Sequence, residues 1–533
     1  MSKRQLLPYR DTGFFSSLIC DYLEQKPALA PFYHRFPGDE NLPRQQEEKL
    51  ASYPSAQRKL LVAALERQYA QDGVEILPAV RANLEDLSLN DTCTVCTGHQ
   101  LNILLGPLYT VYKIIHTINL ARAWDRQGKR GRVLPVFWLA SEDHDWEEIN
   151  FINYFGGVLR WQGPQGGAVG HLPPFGMGKV LDELEQHLGP GEHARDLMTI
   201  FRQAYHDRSN LAAATRALVN RLFGEDGLLI IDGDDPELKA SQQELWVEEL
   251  WGEKMHQALQ ESNAELERDY FLQAHARRIN LFYLRPGHRN RLEKAGEGWQ
   301  VLDSDLYFTA AELKAELQNK PERFSPNALL RPVYQERLLP NLAYIGGGGE
   351  IAYWLQLKAA FAAFSTPFPM LVLRNSVLWI AQKWQNRMQD IDLKPASLFA
   401  GLEGLQNAYA AQKAPVDPQL TDYEARLQGI FAELEEIAHL TEESMLGAVN
   451  AQKQKQLNGL QNLRKKLIRA EKRRHKTEMD KLARIHGALF PKGGLQERHD
   501  NFSAYYFRYG PDFFKRLRTD LDPLDFRFTI LED

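Results

Sequence analysis

Cysteine is scarce in this chain. Three residues in 533, Cys20, Cys93 and Cys96, cannot build a disulfide framework, which excludes the stapled secreted domains and fits a reducing compartment. Basic excess is also missing, since 64 Lys and Arg against 70 Asp and Glu leave a formal charge of -6. A nucleic-acid binder with a wholly basic surface is thereby excluded, and only a local basic patch remains open. Apolar runs such as residues 133–140 fall far short of the ~20 residues that a membrane helix needs. The opening MSKRQLLPYRDTGFF has no uninterrupted apolar stretch of the secretory kind. Gly-Lys-Ser/Thr does not follow the glycine run at 346–349, and HExxH does not occur, so neither a Walker A loop nor a zincin-type metal site is expected. The expectation is a cytoplasmic protein with neither membrane nor nucleic acid as partner.

What is present is the composition of a folded protein, 44% hydrophobic and 25% charged. The length is enough for roughly three or four domain-sized units. Short apolar runs at 92–96, 136–140, 228–231, 342–345 and 370–373 alternate with helical patterns, the signature of an α/β fold. They lack polar alternation, as strands do when helices cover both faces of a parallel sheet. Residues 152–171, glycine-rich with scattered aromatics, and 280–308, with a Pro-Gly-His turn, read as hairpins inserted into that core.

After a loop at 413–418 the pattern changes. Leu420, Tyr423, Leu427, Ile430, Leu434 and Ile437 recur at three- and four-residue steps, and Leu457, Leu460, Leu463 and Leu467 resume after a polar break at 441–444. One apolar stripe on each of two long helices is the pattern of a coiled-coil hairpin or dimerisation arm. Phe490-Pro491-Lys492-Gly493-Gly494 ends it, and an aromatic tail over 502–528 is expected to pack back on the core. The expected organisation is a core over 1–415 with inserts at about 151–225 and 270–325, an arm over 416–490 and a C-terminal segment over 491–533.

Three polar clusters at strand ends are candidate site elements, because open parallel sheets bind ligands beyond their carboxyl ends. The first is Thr97-Gly98-His99-Gln100, read as a tight turn, followed by a helix starting near Pro107. Its apolar stripe is Leu108, Val111, Tyr112, Ile115 and Ile118, and Tyr109 and Lys113 share another face. A helix N-terminus beside an imidazole and a carboxamide suits an anion, while a capped connection with surface Tyr and Lys is the plain alternative. The second is Ser141-Glu142-Asp143-His144-Asp145, able to relay protons or hold a cation, or in part to cap the next helix. The third is Gly346-Gly347-Gly348-Gly349-Glu350 after Tyr344, where glycines let backbone approach an anion or sugar and Glu350 can act as base or hydroxyl acceptor. A flexible loop is the alternative there. Arg331 and Arg374 are candidates for bidentate carboxylate binding, or structural ion pairs.

Two other signals carry less. Cys93 and Cys96 form a CxxC, but in a strand they face opposite ways, unlike a redox motif at a helix start. The basic run over 464–476 is interrupted by Glu471, which fits a solvated helix face or an interface with an acidic ligand.

Taken together, Thr97-Gly98-x-Gln100, Gly106-Pro107-Leu108-Tyr109-Thr110-x-Tyr112-Lys113, PVFWLASEDHD, the segment SPNALLRPVYQERLLPNLAYIGGGGEIAYW and FPKGGLQER resemble the BshC family, cysteine-adding enzymes of bacillithiol biosynthesis. The motifs extend from about residue 97 to 498, and their combination is specific where each alone is weak. One departure is His99, where the family pattern has a second glutamine. The resemblance implies a Rossmann-like parallel-sheet core with connecting-peptide inserts, similar to class I aminoacyl-tRNA synthetases, plus a long coiled-coil domain that forms a homodimer. It implies an amide bond between the carboxyl of L-cysteine and the amine of glucosaminyl malate, giving bacillithiol.

Amide synthesis in water needs an activated carboxyl, so ATP or a related nucleotide is the expected co-substrate, forming an acyl-adenylate or acyl-phosphate. On that reading His99, Gln100 and Lys113 bind and stabilise negative charge, and Asp143 and His144 move protons or take part in metal-assisted positioning, with the need for a metal left open. Arg331 and Arg374 hold the malate carboxylates, while Gly106, Tyr109, Glu142, Asp145 and the glycine run line the substrates. No metal ligands are assigned. A nucleotide site between arm and core, with Lys465, Lys466 or Arg498, is also compatible. The alternatives are a non-catalytic nucleotide- or sugar-binding assembly protein dimerised by its coiled coil, and a synthetase-like enzyme acting on RNA, which the net charge disfavours.

Overall fold

The computed structural model describes residues 3–127, 131–154, 156–415 and 420–533. Five strands, β1 (Cys93–His99), β2 (Val133–Leu139), β3 (Leu229–Asp232), β4 (Asn341–Gly346) and β5 (Met370–Leu373), form one sheet in the order β5-β4-β1-β2-β3. All neighbours run parallel. Every residue of β1, β2, β4 and β5 is buried, which explains their unbroken apolar runs. From β1 the chain steps outward to β3, then returns to the other side of β1 for β4 and β5. That reversal opens a crevice between β1 and β4 at the carboxyl ends, the switch point of a Rossmann-like sheet.

Helix α1 (Leu108–Gln127) joins β1 to β2, and α2 (Gly348–Gln356) begins the crossing from β4 to β5. The stripe of Leu108, Val111, Tyr112, Ile115 and Ile118 on α1 is fully buried, each large side chain contributing roughly 1.5–3 kcal/mol by leaving water. One boundary differs from expectation. β1 continues through Thr97, Gly98 and His99, so these residues end a strand instead of forming a turn. The turn comes later, where Leu104, Leu105 and Gly106 all take positive φ. This strained bend is held by Asn501 Nδ2, which donates to the carbonyls of Leu104 at 3.0 Å and Gly106 at 2.6 Å, and by the Tyr205 hydroxyl, which accepts from Leu104 N at 2.8 Å.

Two inserts decorate the sheet. Between β2 and β3 lie the hairpin Phe151–Tyr154/Gly157–Arg160 and three helices, Met177–Leu188, Glu192–Tyr205 and Leu211–Phe223. Between β3 and β4 stands an antiparallel sheet built from Leu281–Arg285, His288–Ala295, Gly298–Val301, Tyr307–Phe308 and Phe324–Pro326. The chain ends are tied together, with Lys3–Pro8 antiparallel to Arg527–Glu532, which is itself parallel to Val377–Ile380. The C-terminal aromatics pack inward, with Phe514 5.3 Å from Phe223 and Phe513 5.5 Å from Trp379, ring centre to ring centre.

The arm consists of α3 (Gly401–Lys413), α4 (Thr421–Thr441), α5 (Leu446–Arg474) and α6 (Lys476–Leu489). The loop expected at 413–418 lies partly outside the described residues, as does the junction expected at 415–416. α4 and α5 pack against each other, bridged by Lys453 and Glu435 at 3.0 Å. Within this hairpin the buried residues are Phe431, Ala438 and Ile468, and not the expected stripe. Tyr423, Ile430, Leu434, Ile437, Leu463 and Leu467 face solvent. Among the described residues no helix is long and apolar enough to cross a membrane.

Candidate functional site

Beyond the carboxyl ends of β1, β2 and β4 lies a cavity of about 860 Å³. The end of β1 contributes Gly98, His99 and Gln100, and α1 contributes Tyr109 and Lys113. Glu142, Asp143 and His144 enter from the end of β2, and Tyr344, Gly347, Gly348, Gly349 and Glu350 from the β4–α2 connection. Arg331 and Arg374 complete the set that the sequence brought forward.

Four expected residues do not line the cavity. Thr97 is buried and donates to the Ile345 carbonyl at 2.8 Å, stitching β1 to β4. Gly106 belongs to the strained bend, with φ 55°, where a Cβ would sit 2.6 Å from Asn102 Cβ. Gly346 closes β4, and its carbonyl accepts from Arg374 N at 2.9 Å. Asp145 is exposed, ahead of the one-turn helix Trp146–Ile149.

Lys113 and Glu350 are bound to each other. Lys113 Nζ also donates to the Gly98 carbonyl at 2.9 Å. Glu350 accepts from the Tyr344 hydroxyl at 2.6 Å and from Gly347 N at 2.8 Å. Burial alone would raise the Glu350 carboxyl, but the Lys113 ammonium and these hydrogen bonds hold it down at about 2. Glu350 is therefore a fixed anion and not a base, and Lys113 is already neutralised. The glycine run is a helix start and not a flexible loop. Gly347 caps α2, and Gly348 and Gly349 form its first turn, where backbone N–H groups lack intrahelical partners.

Arg374 is engaged as well. Its Nη2 donates to Glu497 Oε1 at 2.7 Å in a fully buried pair, and Nη1 reaches the Asn375 carbonyl at 2.9 Å, leaving Nε buried without a partner. Arg331 has neutral partners, with Gln335 Oε1 at 2.7 Å and the Tyr353 hydroxyl at 3.5 Å. Arg498, the next residue after Glu497, lines the cavity, and no carboxylate lies within ion-pair distance of it among the described residues. Lys465 and Lys466 stand on α5, away from this cavity.

At the end of β1, His99 is buried with Nε2 unpartnered, its ring edge-on to Tyr109 at 5.2 Å. Burial, helped by the Lys113 charge, pulls its imidazole down to about 3, so it is neutral at physiological pH and does not act as a cationic anion clamp. The Gln100 amide is committed to two carboxylates, Asp143 Oδ2 at 2.7 Å and Glu148 Oε2 at 2.6 Å. Asp143 also accepts from His144 N at 2.7 Å. Against the upward push of burial, the neighbouring His144 side chain, the Gln100 amide and the His144 N–H keep Asp143 ionised well below the usual carboxylate range, so it is not poised to take a proton.

Some contributors lie far from the expected clusters. Glu142 pairs at 2.6 Å with Lys239, which is fully buried and also holds Asp234 at 2.5 Å. Arg289 enters from the insert sheet and Tyr353 from α2. Pairings of this kind, dozens of residues apart, carry no local signature. The CxxC cysteines are both buried in β1, burial pushing Cys93 up to about 12 and Cys96 well above the usual thiol range, which removes any thiolate for redox chemistry. Among the described residues no cluster of three or more His, Cys, Asp or Glu is arranged to hold a metal ion.

Comparison with known proteins agrees with this architecture. Residues 1–375 match the family described as bacillithiol biosynthesis BshC, N-terminal Rossmann-like domain, and residues 377–532 its C-terminal coiled-coil domain. A protein of Flavobacterium johnsoniae named "Putative cysteine ligase BshC" is 40% identical over 525 residues, covering 98% of this chain and 99% of that relative. Relatives of the same name from Salinibacter ruber and Bacillus cytotoxicus are 32% identical over 531 residues and 27% over 452. They cover 95% and 82% of this chain, and 95% and 84% of their own lengths. With both its domains matched, the chain belongs to the BshC family of bacillithiol biosynthesis.

Proposed function

We propose that this protein joins the carboxyl group of L-cysteine to the amino group of glucosaminyl malate, using the cavity at the switch point. The name of its relatives supplies the amino acid. One observation in the chain carries the reading: the cavity is polarised across β1. On the β4 side stand Arg331, without a carboxylate partner among the described residues, and the N-terminus of α2, where Glu350 is already paired with Lys113. On the β2 side stands Asp143, a carboxylate pinned in its charged form, with the Arg289 guanidinium turned to His144 and to the insert. A substrate carrying carboxylates at one end and an ammonium at the other is complementary to that arrangement.

Arg331 and the free Nε of Arg374 hold malate carboxylates in this reading, and Asp143 receives an ammonium. His99, neutral and with Nε2 free, offers a polar contact at the end of β1 between the two sides. The amine nitrogen attacks the cysteine carboxyl carbon, the C–N bond forms, the carboxyl loses its leaving group, and the amine proton passes to solvent. ATP is the co-substrate that would supply the leaving group. Arg498 and the Gly348 and Gly349 N–H groups fit its phosphates, because a helix N-terminus and an unpaired guanidinium both favour an anion. A second copy of the chain covers the apolar stripe of the arm, making a homodimer.

The test is incubation of the purified protein with cysteine, glucosaminyl malate and ATP, followed by mass spectrometry. The condensed thiol and a nucleotide by-product are expected. Binding without the condensed thiol, across nucleotides and divalent metals, would overturn the reading in favour of a non-catalytic ligand-binding protein.

A further inference from the structure

We propose that Arg289 is a positioning residue that sets the tautomer of the His144 imidazole, holding Nδ1 as an acceptor and leaving the proton on Nε2, so that His144 serves the cavity as a hydrogen-bond donor. Arg289 belongs to the insert sheet, on the strand His288–Ala295, whereas His144 follows β2 of the core. Its Nη1 lies 3.0 Å from His144 Nδ1. The rest of the guanidinium is anchored within the insert. Nε donates to Ser325 Oγ at 3.1 Å and Nη2 to the Pro326 carbonyl at 3.0 Å. The group lies 3.9 Å over the Phe282 ring, whose centre is 5.5 Å from that of His144.

A guanidinium has donors only and keeps its proton throughout the physiological range. The nitrogen facing it must therefore present a lone pair, and a neutral imidazole with an unprotonated Nδ1 carries its hydrogen on Nε2. The charges around the pair do not reverse this. Asp143 Oδ1, 3.7 Å from Nδ1, favours a proton there, but Arg289 is nearer and donates directly. Glu142 and Asp234, which also face Arg289, share the single Lys239 ammonium, and their remaining charge acts on the guanidinium and keeps it the donor. With Nδ1 occupied and Nε2 protonated, His144 has no free lone pair. It can place an N–H against an oxygen on which negative charge develops, as in acyl transfer. The insert thus takes part in the site by setting the tautomer of a core residue.

The test is nitrogen NMR of the full-length protein with labelled histidine, taking the His144 signals as those lost in His144→Gln. At neutral pH the wild type should show an unprotonated Nδ1 and a protonated Nε2. Arg289→Lys, which keeps a cationic donor, should retain that pattern, and Arg289→Met should show a mixture of tautomers. A protonated Nδ1 in the wild type, or an unchanged pattern in Arg289→Met, would overturn the proposal. A second readout rests on the ligase reading: kcat should fall roughly tenfold or more in Arg289→Met with little change in KM, and recover substantially in Arg289→Lys. Because the tautomer is read without substrate, failure of the ligase assay and failure of this inference are told apart.

Discussion

Lys113 on α1 and Glu350 on α2 form a buried ion pair across the gap between β1 and β4, tying together the two helices that leave the switch point. The Lys113 side chain is 2% exposed and that of Glu350 26%, so removing the carboxylate strands the lysine charge in a poor solvent. Glu350→Gln should therefore lower stability by about 3 kcal/mol or more, and Lys113→Met by less. The double variant Lys113→Met/Glu350→Gln should recover much of that loss, because no uncompensated charge remains. Chemical denaturation of the four species closes the cycle, and simple additivity would show that the two residues are not coupled.

The same pair sets an acid limit to stability. Glu350 is held at about 2 in the folded state, below its ordinary 4.5. A depressed carboxylate stabilises the fold fully above its unfolded value, and that contribution is lost as pH falls from about 4.5 towards 2. The thermal midpoint of the wild type should fall more steeply across this window than that of Glu350→Gln. The two profiles should run parallel above roughly pH 5. Equal slopes in acid would mean that Lys113 does not hold Glu350 ionised.

His99 stands where the resembled pattern has glutamine, and its environment explains how both can serve. With its imidazole drawn down to about 3, His99 is an uncharged polar side chain at working pH, electrostatically close to a carboxamide. His99→Gln should keep kcat within about threefold, while His99→Ala should lose roughly tenfold or more through the missing hydrogen bond. Steady-state rates decide it, and a large loss in His99→Gln would assign the imidazole an acid–base role.

These contrasts show what the sequence made legible. The five core strands could be read because central parallel strands are buried on both faces and so appear as short apolar runs. Helix α1 could be read from its 3.6-residue stripe. The partners of the site residues could not, since Arg374 meets Glu497 and His144 meets Arg289 only after the chain has folded across 123 and 145 residues. In the arm the heptad spacing was visible. Which face closes the hairpin was not, because Phe431 and Ala438, not the stripe of Ile430, Leu434 and Ile437, make the internal seam.

Arg498 separates a binding role from a structural one. Unlike its neighbour Glu497, which is fully buried and paired, Arg498 is exposed at the cavity and has no carboxylate partner among the described residues. Arg498→Ala should leave the melting temperature close to that of the wild type. The KM for an anionic substrate should rise roughly tenfold to a hundredfold, as expected for a lost charge-assisted hydrogen bond of about 1.5–3 kcal/mol. Kinetics with glucosaminyl malate and ATP varied in turn would show which of the two it meets, and unchanged KM for both would remove Arg498 from the site.

Adjacent residues on α4 test the proposed homodimer. Ile430 is 55% exposed and Phe431 6%, so one points away from the hairpin and the other into it. Ile430 continues into a solvent-facing stripe with Leu434, Ile437 and Leu440, the last 89% exposed. Apolar side chains repeated on one helix face gain stability by burial against another helix, and none of the described residues of the chain buries these. Ile430→Glu with Ile437→Glu should convert a dimer to a monomer in analytical ultracentrifugation while circular dichroism shows unchanged helix content. Phe431→Glu places a charge in the seam between α4 and α5 and should reduce helicity. If the double stripe variant sediments like the wild type, the stripe is not the dimer interface.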